Sequence, residues 1–357
     1  MPEFFFSDSR SRLRIWLTVV YTLFIVYASL SPFTGWRDQG LHFTEVIRQP
    51  LLLTYTAFDV ILNLLAYLPL GLLLGLALRV RLGALHSLLG ACALGIALSA
   101  GMEFLQMYLP MRTSSNLDLL TNASGTLAGA LLALSITRWT RWYDRLTRWR
   151  DHTFLHGTKM DFGLALLALW MFGQINPSLP MLGNVFISEV ARQPFAAVAS
   201  APFNGWESAA VLLNLLMLGT LLLTLLRNPA TVINALLLVL TSVALVKFIT
   251  AAVLLKSSAM LLWVNSEAML GILLGSVLLL AIRGLPHSRI ILLGVAQTLG
   301  YIVIAHFVLD SHTPAAAMSI YHWHYGHLLN YNGLAQTITL VFPALLLLHL
   351  WRVRSLS

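Results

Sequence analysis

The chain predicts an all-α, polytopic transmembrane helical bundle, and three observations carry that prediction. Apolar side chains make up 58% of the residues and charged ones only 10%, a balance that belongs to membrane proteins rather than soluble domains. Leu-, Ala- and Val-rich runs of bilayer-crossing length recur along the whole sequence. Arginines gather in short clusters between those runs, and the net charge is +8. Such clusters suit topology and anionic lipid head groups, so no nucleic-acid partner is expected. Cys92 is the single cysteine, which excludes an intramolecular disulfide.

Apolar runs of roughly 17 to 25 residues define ten spans, at 15–30, 57–78, 84–105, 117–136, 162–176, 208–226, 232–255, 260–282, 290–309 and 334–350. Arg10, Arg12 and Arg14 precede the first run, with no small-residue cleavage site close behind it, so it reads as a retained span rather than a signal peptide. With the amino terminus inside, the inner segments hold Arg79, Arg81, Arg138, Arg141, Arg145, Arg148, Arg150, Lys159, Arg227, Arg283, Arg289, Arg352 and Arg354. The outer side keeps Arg37, Arg48, Arg112, Arg192 and Lys256. This asymmetry places both termini in the cytoplasm of a bacterial inner membrane. Trp139, Trp142, Tyr143 and Trp149 interleave with arginines in the longest inner loop, which reads either as an interfacial helix or as a solvated basic linker with aromatic anchors.

That loop separates two halves with matching landmarks. Ser31-Pro32 followed by Arg48-Gln49-Pro50 recurs as Asn176-Pro177 followed by Arg192-Gln193-Pro194. Asn63-Leu64-Leu65 recurs as Asn214-Leu215-Leu216, and Gly125 with Gly129 recurs as Gly271 with Gly275. The expected organisation is therefore a four-span unit at 1–137, a basic linker at 138–160, a degenerate four-span repeat in parallel orientation at 161–284, and a two-span extension at 285–357. In the second copy Ala210 falls opposite Asp59, Lys247 near Glu103 and Thr250 near Gln106. The first copy is then the working one, although Glu207 and Glu267 leave room for a separate polar site in the second.

Polar residues at helix-turn spacing mark the first unit as the place to look for function. Asp59 and Asn63 are four apart, as are Asp118 and Asn122, while Glu103 and Gln106 are three apart. Residues at these spacings share a helix face, and ionisable groups in lipid are costly enough to signal function. Under the orientation above they converge, with Arg112, on the extracytoplasmic boundary. The structural alternative is that they are interhelical glue. Pro69 with Gly71 sits in the second span, and Gly125-x3-Gly129 and Gly271-x3-Gly275 have the close-approach spacing of packed membrane helices.

The ordered set Asp59-x3-Asn63, Pro69, Gly71, Glu103-x2-Gln106, Arg112, Asp118-x3-Asn122-x2-Gly125-x3-Gly129 resembles the VanZ-like family over residues 15 to 137. The family is similar to the membrane protein that accompanies glycopeptide-resistance clusters and lowers sensitivity to teicoplanin. The resemblance implies a cell-envelope setting and names no reaction.

The residues themselves admit several chemistries. Paired carboxylates can do acid and base work, and Arg112 could hold a phosphate, which would make the chain a membrane enzyme acting on lipid or glycan phosphate. The sequence has no His-Glu-x-x-His run, Gly-x-Ser-x-Gly elbow or phosphate-binding glycine loop. The leading expectation is therefore a binder of a lipid-linked or glycopeptide-like molecule, in contact with membrane lipids and without a cofactor. A transporter or assembly scaffold is a further alternative. In the last outer loop His322, His324 and His327 could supply three imidazoles to zinc or copper. The same Tyr/His/Trp run reads as an interfacial belt, and no metal is expected.

Overall fold

The computed structural model describes residues 12–49, 57–138, 140–187, 203–309, 314–323 and 326–354. Pro50, Trp139, the Arg192-Gln193-Pro194 landmark and His324 lie outside them. The regular elements among the described residues are helical: α1 (Leu13–Leu30), α2 (Phe43–Arg48), α3 (Ala57–Leu78), α4 (Ala84–Gln106), α5 (Asn116–Arg138), α6 (Thr140–Thr153), α7 (Thr158–Gln174), α8 (Gly205–Leu225), α9 (Val232–Leu254), α10 (Ser266–Ile282), α11 (His287–Val303) and α12 (Gly326–Val353). Eight helices are long and apolar enough to cross a membrane, and α10 is apolar but shorter. Eight of the ten expected spans fall on those eight helices and the one at 260–282 on the shorter α10, whereas that at 162–176 falls on α7, which is not among them.

Two boundaries differ from the hydropathy reading for local reasons. α10 begins at Ser266 rather than at residue 260, because Asn265 is extended and its side-chain oxygen accepts from the Ala268 amide at 2.8 Å, closing the helix start. α12 begins at Gly326 rather than at residue 334, since polar Asn330 and Asn332 are carried inside the helix, where Asn332 is fully buried.

The chain divides into two compact units, Met1–Asp151 and His152–Ser357. In the first, α3 and α5 are the most intimate pair, with α4 and α1 packed beside them. Glycine permits that intimacy. A Cβ at Gly125 would strike the Leu64 carbonyl, one at Gly129 would sit 2.7 Å from the Leu72 nitrogen, and one at Gly71 would sit 2.8 Å from the Thr126 Cα. Backbones that approach so closely gain dispersion contact where lipid supplies no hydrophobic drive. α3 runs through Pro69 as one helix. α6, rich in arginine and tryptophan, follows α5, and its Arg145, Arg148 and Trp149 are exposed.

In the second unit α8 is the hub. It is apolar on all sides and buried along nearly its whole length, packed by α7, α9, α10, α11 and α12. Gly271 repeats the close approach against α8, where a Cβ would lie 2.7 Å from the Ser208 carbonyl oxygen; at Gly275 a Cβ would lie 3.1 Å from Leu215. The segment after α7, residues 176–187, is non-helical and almost wholly buried. Within it the Ile187 N–H donates to Ser178 O at 2.8 Å, and the Met181 N–H reaches Trp263 O at 2.9 Å.

Candidate functional site

The polar residues of the first unit form stripes that meet at one end of the α3–α4–α5 bundle. Asp59 lies in the first turn of α3, Asp118 in the first turn of α5, and Glu103 in the last turn of α4. Asn63 Nδ2 donates to Asp118 Oδ1 at 2.8 Å, and Asn122 Nδ2 donates to Ser99 Oγ at 3.0 Å. Asp118 is within electrostatic range of both Asp59 and Glu103. Glu103, only 4% exposed, accepts on Oε2 from the Ser115 amide at 2.7 Å and from Ser114 Oγ at 3.0 Å. Its negative charge thus sits against the amino-terminal end of α5, where the helix dipole favours an anion.

Spacing alone could have extended the stripes. Tyr67 is four residues beyond Asn63, and Ser99 is four before Glu103. The Tyr67 hydroxyl is buried in the neighbourhood of Ser99, Glu103 and Asp118, with its ring packed against Ile25 and Leu70. Two oxygens of this cluster, Tyr67 Oη and Asn122 Oδ1, are buried without a hydrogen-bond partner. Leaving such a group unsatisfied costs about 1–3 kcal/mol. A helical bundle that used these residues only for cohesion would be expected to pair them.

Gln106 and Arg112 turn elsewhere. Gln106 Nε2 donates to Ser29 O at 3.0 Å, while Arg112 Nη2 donates to Ala28 O at 2.9 Å and Ser31 O at 2.7 Å. Both satisfy carbonyls at the carboxyl-terminal end of α1, which a helix cannot pair within itself and where a cation is favoured. Burial shifts the Arg112 guanidinium downward from its ordinary value, yet an arginine stays charged. The same end of the bundle is covered by the segment after α1: Gln39 Nε2 donates to Met107 O at 2.7 Å, and Asn116 Nδ2 to Gln49 O at 2.6 Å.

The second unit builds a comparable cap. Lys247 is fully buried and donates from Nζ to Gln174 O and Asn176 O, each at 2.7 Å, at the end of α7; Thr250 Oγ1 donates to Ile175 O at 3.2 Å. Around it lies a polar network that closes on itself. Asn332 Oδ1 accepts from Asn176 Nδ2 at 2.9 Å, Ser178 Oγ at 2.9 Å and Tyr321 Oη at 2.7 Å. Burial pushes the Tyr321 phenol up to about 12, which keeps it a donor. Asn214 Oδ1 accepts from Trp170 Nε1 at 2.8 Å, and its Nδ2 donates to Leu182 O at 2.8 Å.

Of the histidine run, His322 is exposed and stacks obliquely on Trp323 at 5.7 Å. Among the described residues no group of three or more metal-ligating side chains is assembled.

Fold and site together define a polytopic helical membrane protein with a polar cluster set into one end of its first unit. Residues 4–138 match the family model described as VanZ/LLP1, and this part of the chain is similar to that family. No curated protein and no solved structure matches the chain.

Proposed function

We propose that the protein is a cell-envelope factor of a bacterial inner membrane that binds a lipid-linked or glycopeptide-like molecule at the outer membrane face. The binding groups are Asp59, Asn63, Tyr67, Glu103, Asp118 and Asn122. The observation that carries this reading is the pair of buried, unpartnered oxygens, Tyr67 Oη and Asn122 Oδ1, beside interacting carboxylates. The outer-face placement rests on the arginine distribution and the envelope setting on the family.

Native mass spectrometry of the gently extracted full-length chain, followed by titration with teicoplanin and with a polyprenyl-linked disaccharide, tests the reading. Saturable binding without turnover, lost in Asp118→Asn and in Tyr67→Phe, is the expected outcome. Binding that survives both substitutions removes the cluster from the function. A second reading, a membrane enzyme acting on lipid or glycan phosphate, draws on the electrostatic proximity of Glu103 and Asp118. Substrate-dependent turnover that vanishes with Glu103→Gln selects it.

A further inference from the structure

We infer that the cluster of the first unit takes a primary ammonium group from its ligand, and not a phosphate. The inference rests on the binding role proposed above and names the chemistry that this site selects.

One buried acceptor of the cluster is left over, and the carboxylates beside it are held by uncharged donors. The Asn63 amide nitrogen is committed to Asp118 at 2.8 Å and the Asn122 amide nitrogen to Ser99 at 3.0 Å. Ser114 and the Ser115 amide both donate to Glu103. Arg112, the group that would ordinarily hold a phosphate, makes hydrogen bonds from Nη2 to the Ala28 and Ser31 carbonyls at the end of α1. Asn122 Oδ1 has no donor, and it can only accept. Tyr67 Oη, 4% exposed as a residue, lies beside Ser99 and can accept as well as donate. Among the described residues, the bonds made to Glu103 and Asp118 come from uncharged donors, so no cation is bonded to either carboxylate.

The charge distribution points the same way. Asp118 faces the like charges of Asp59 and Glu103. A phosphate would add another anion beside these carboxylates and leave the Asn122 oxygen without a donor. An ammonium brings three N–H donors and the compensating charge. A quaternary trimethylammonium brings the charge but no N–H, so the site should discriminate between the two. Asp59 and Asp118 are partly exposed at the helix starts, whereas Tyr67 and Asn122 are buried further along, which orders the entry of such a group from the helix ends inward.

The test uses the full-length protein in nanodiscs of phosphatidylcholine doped with phosphatidylethanolamine or with phosphatidylglycerol. Native mass spectrometry reads the retained lipid, and thermal unfolding is followed with and without soluble ethanolamine. Phosphatidylethanolamine should be retained about tenfold over phosphatidylglycerol, the scale of one hydrogen bond to a charged group. Asp118→Asn, Asn122→Leu and Tyr67→Phe should each erase that preference. Tyr67→Phe removes one hydroxyl and leaves the ring in its packing, so it guards against misfolding. Stabilisation by soluble ethanolamine as well would assign recognition to the amine itself; stabilisation by the lipid alone would assign it to the amine presented on acyl chains. Equal or preferential retention of phosphatidylglycerol that still depends on Asp118 would leave the binding role standing and overturn the amine preference. Retention indifferent to Asp118, Tyr67 and Asn122 would overturn both.

Discussion

Asn63 Nδ2 and Asp118 Oδ1 meet at 2.8 Å, a bond that ties the second turn of α3 to the first turn of α5. Interhelical polar bonds in membranes average roughly 0.6 kcal/mol, so this one orients Asp118 more than it holds the helices together. Asn63→Leu should lower unfolding stability only slightly, by about 1 kcal/mol or less. Asp118→Asn retains an oxygen for Asn63 and removes the charge, so membrane abundance and thermal unfolding should match the wild type while ligand binding is lost. A large drop in abundance with Asp118→Asn, seen by fluorescence-detected size exclusion, would make the carboxylate a structural group.

The α3–α5 interface should be the most substitution-sensitive part of the first unit. Gly125→Val and Gly129→Val drive a branched side chain into the Leu64 and Leu68 backbones, and overpacking costs about 1–3 kcal/mol even where side chains can give way. Backbone cannot give way as readily, so the loss should be at the upper end or beyond. Gly101→Ala is the control, since nothing lies within 4 Å of a Cβ there. Thermal unfolding of the three variants in one detergent should separate the control from the other two.

The helices were legible because runs of apolar residues long enough for a bilayer have few alternatives. Gly71, Gly125 and Gly129 were legible because small-residue spacing encodes close approach, and the structure puts all three against backbone. The spacing that pairs Asp59 with Asn63 and Asp118 with Asn122 is consistent with the Asn63–Asp118 bond between α3 and α5. Sequence alone could not separate Gln106 and Arg112 from that cluster, because their direction depends on where α1 ends and leaves its carbonyls unpaired. Tyr67 was hidden for a different reason: a tyrosine in an apolar run reads as core, which its ring indeed is. The buried course of residues 176–187 had no signal either, because its polar groups find partners remote in sequence: the Met181 amide on Trp263 O, and the Asn176 and Ser178 side chains on Asn332 Oδ1.

Topology is open to a direct check. A reporter active only outside the cytoplasm should work when fused after Leu109 or Lys256 and fail after Arg81 or Arg150, as the arginine distribution requires. The opposite pattern at two of these positions would move the carboxylate cluster to the cytoplasmic face and remove an extracytoplasmic ligand from consideration.

Arg112 and Lys247 offer the last test, because each sits on the carbonyls that close a helix. Arg112 serves α1 through Ala28 and Ser31, and Lys247 serves α7 through Gln174 and Asn176. Neighbouring helpers also correspond, with Gln106 on Ser29 and Thr250 on Ile175. Ser31-Pro32 and Asn176-Pro177 follow the two capped helices, yet the landmark spacing sets Lys247 near Glu103, so the two cations reach their carbonyls from different positions. The bonds from Arg112 to Ala28 O and Ser31 O leave a single nitrogen, Nη2, and a lysine already makes the matching pair of bonds in the second unit. Arg112→Lys should therefore keep near-wild-type thermal stability, whereas Arg112→Gln and Lys247→Met should each lose about 1–3 kcal/mol, the cost of unsatisfied buried polar groups. Ligand binding by the Arg112→Gln protein, measured below its unfolding temperature, should be retained. Lost binding at unchanged stability would make the guanidinium a ligand group, and the division between capping cation and anionic cluster would then have to be abandoned.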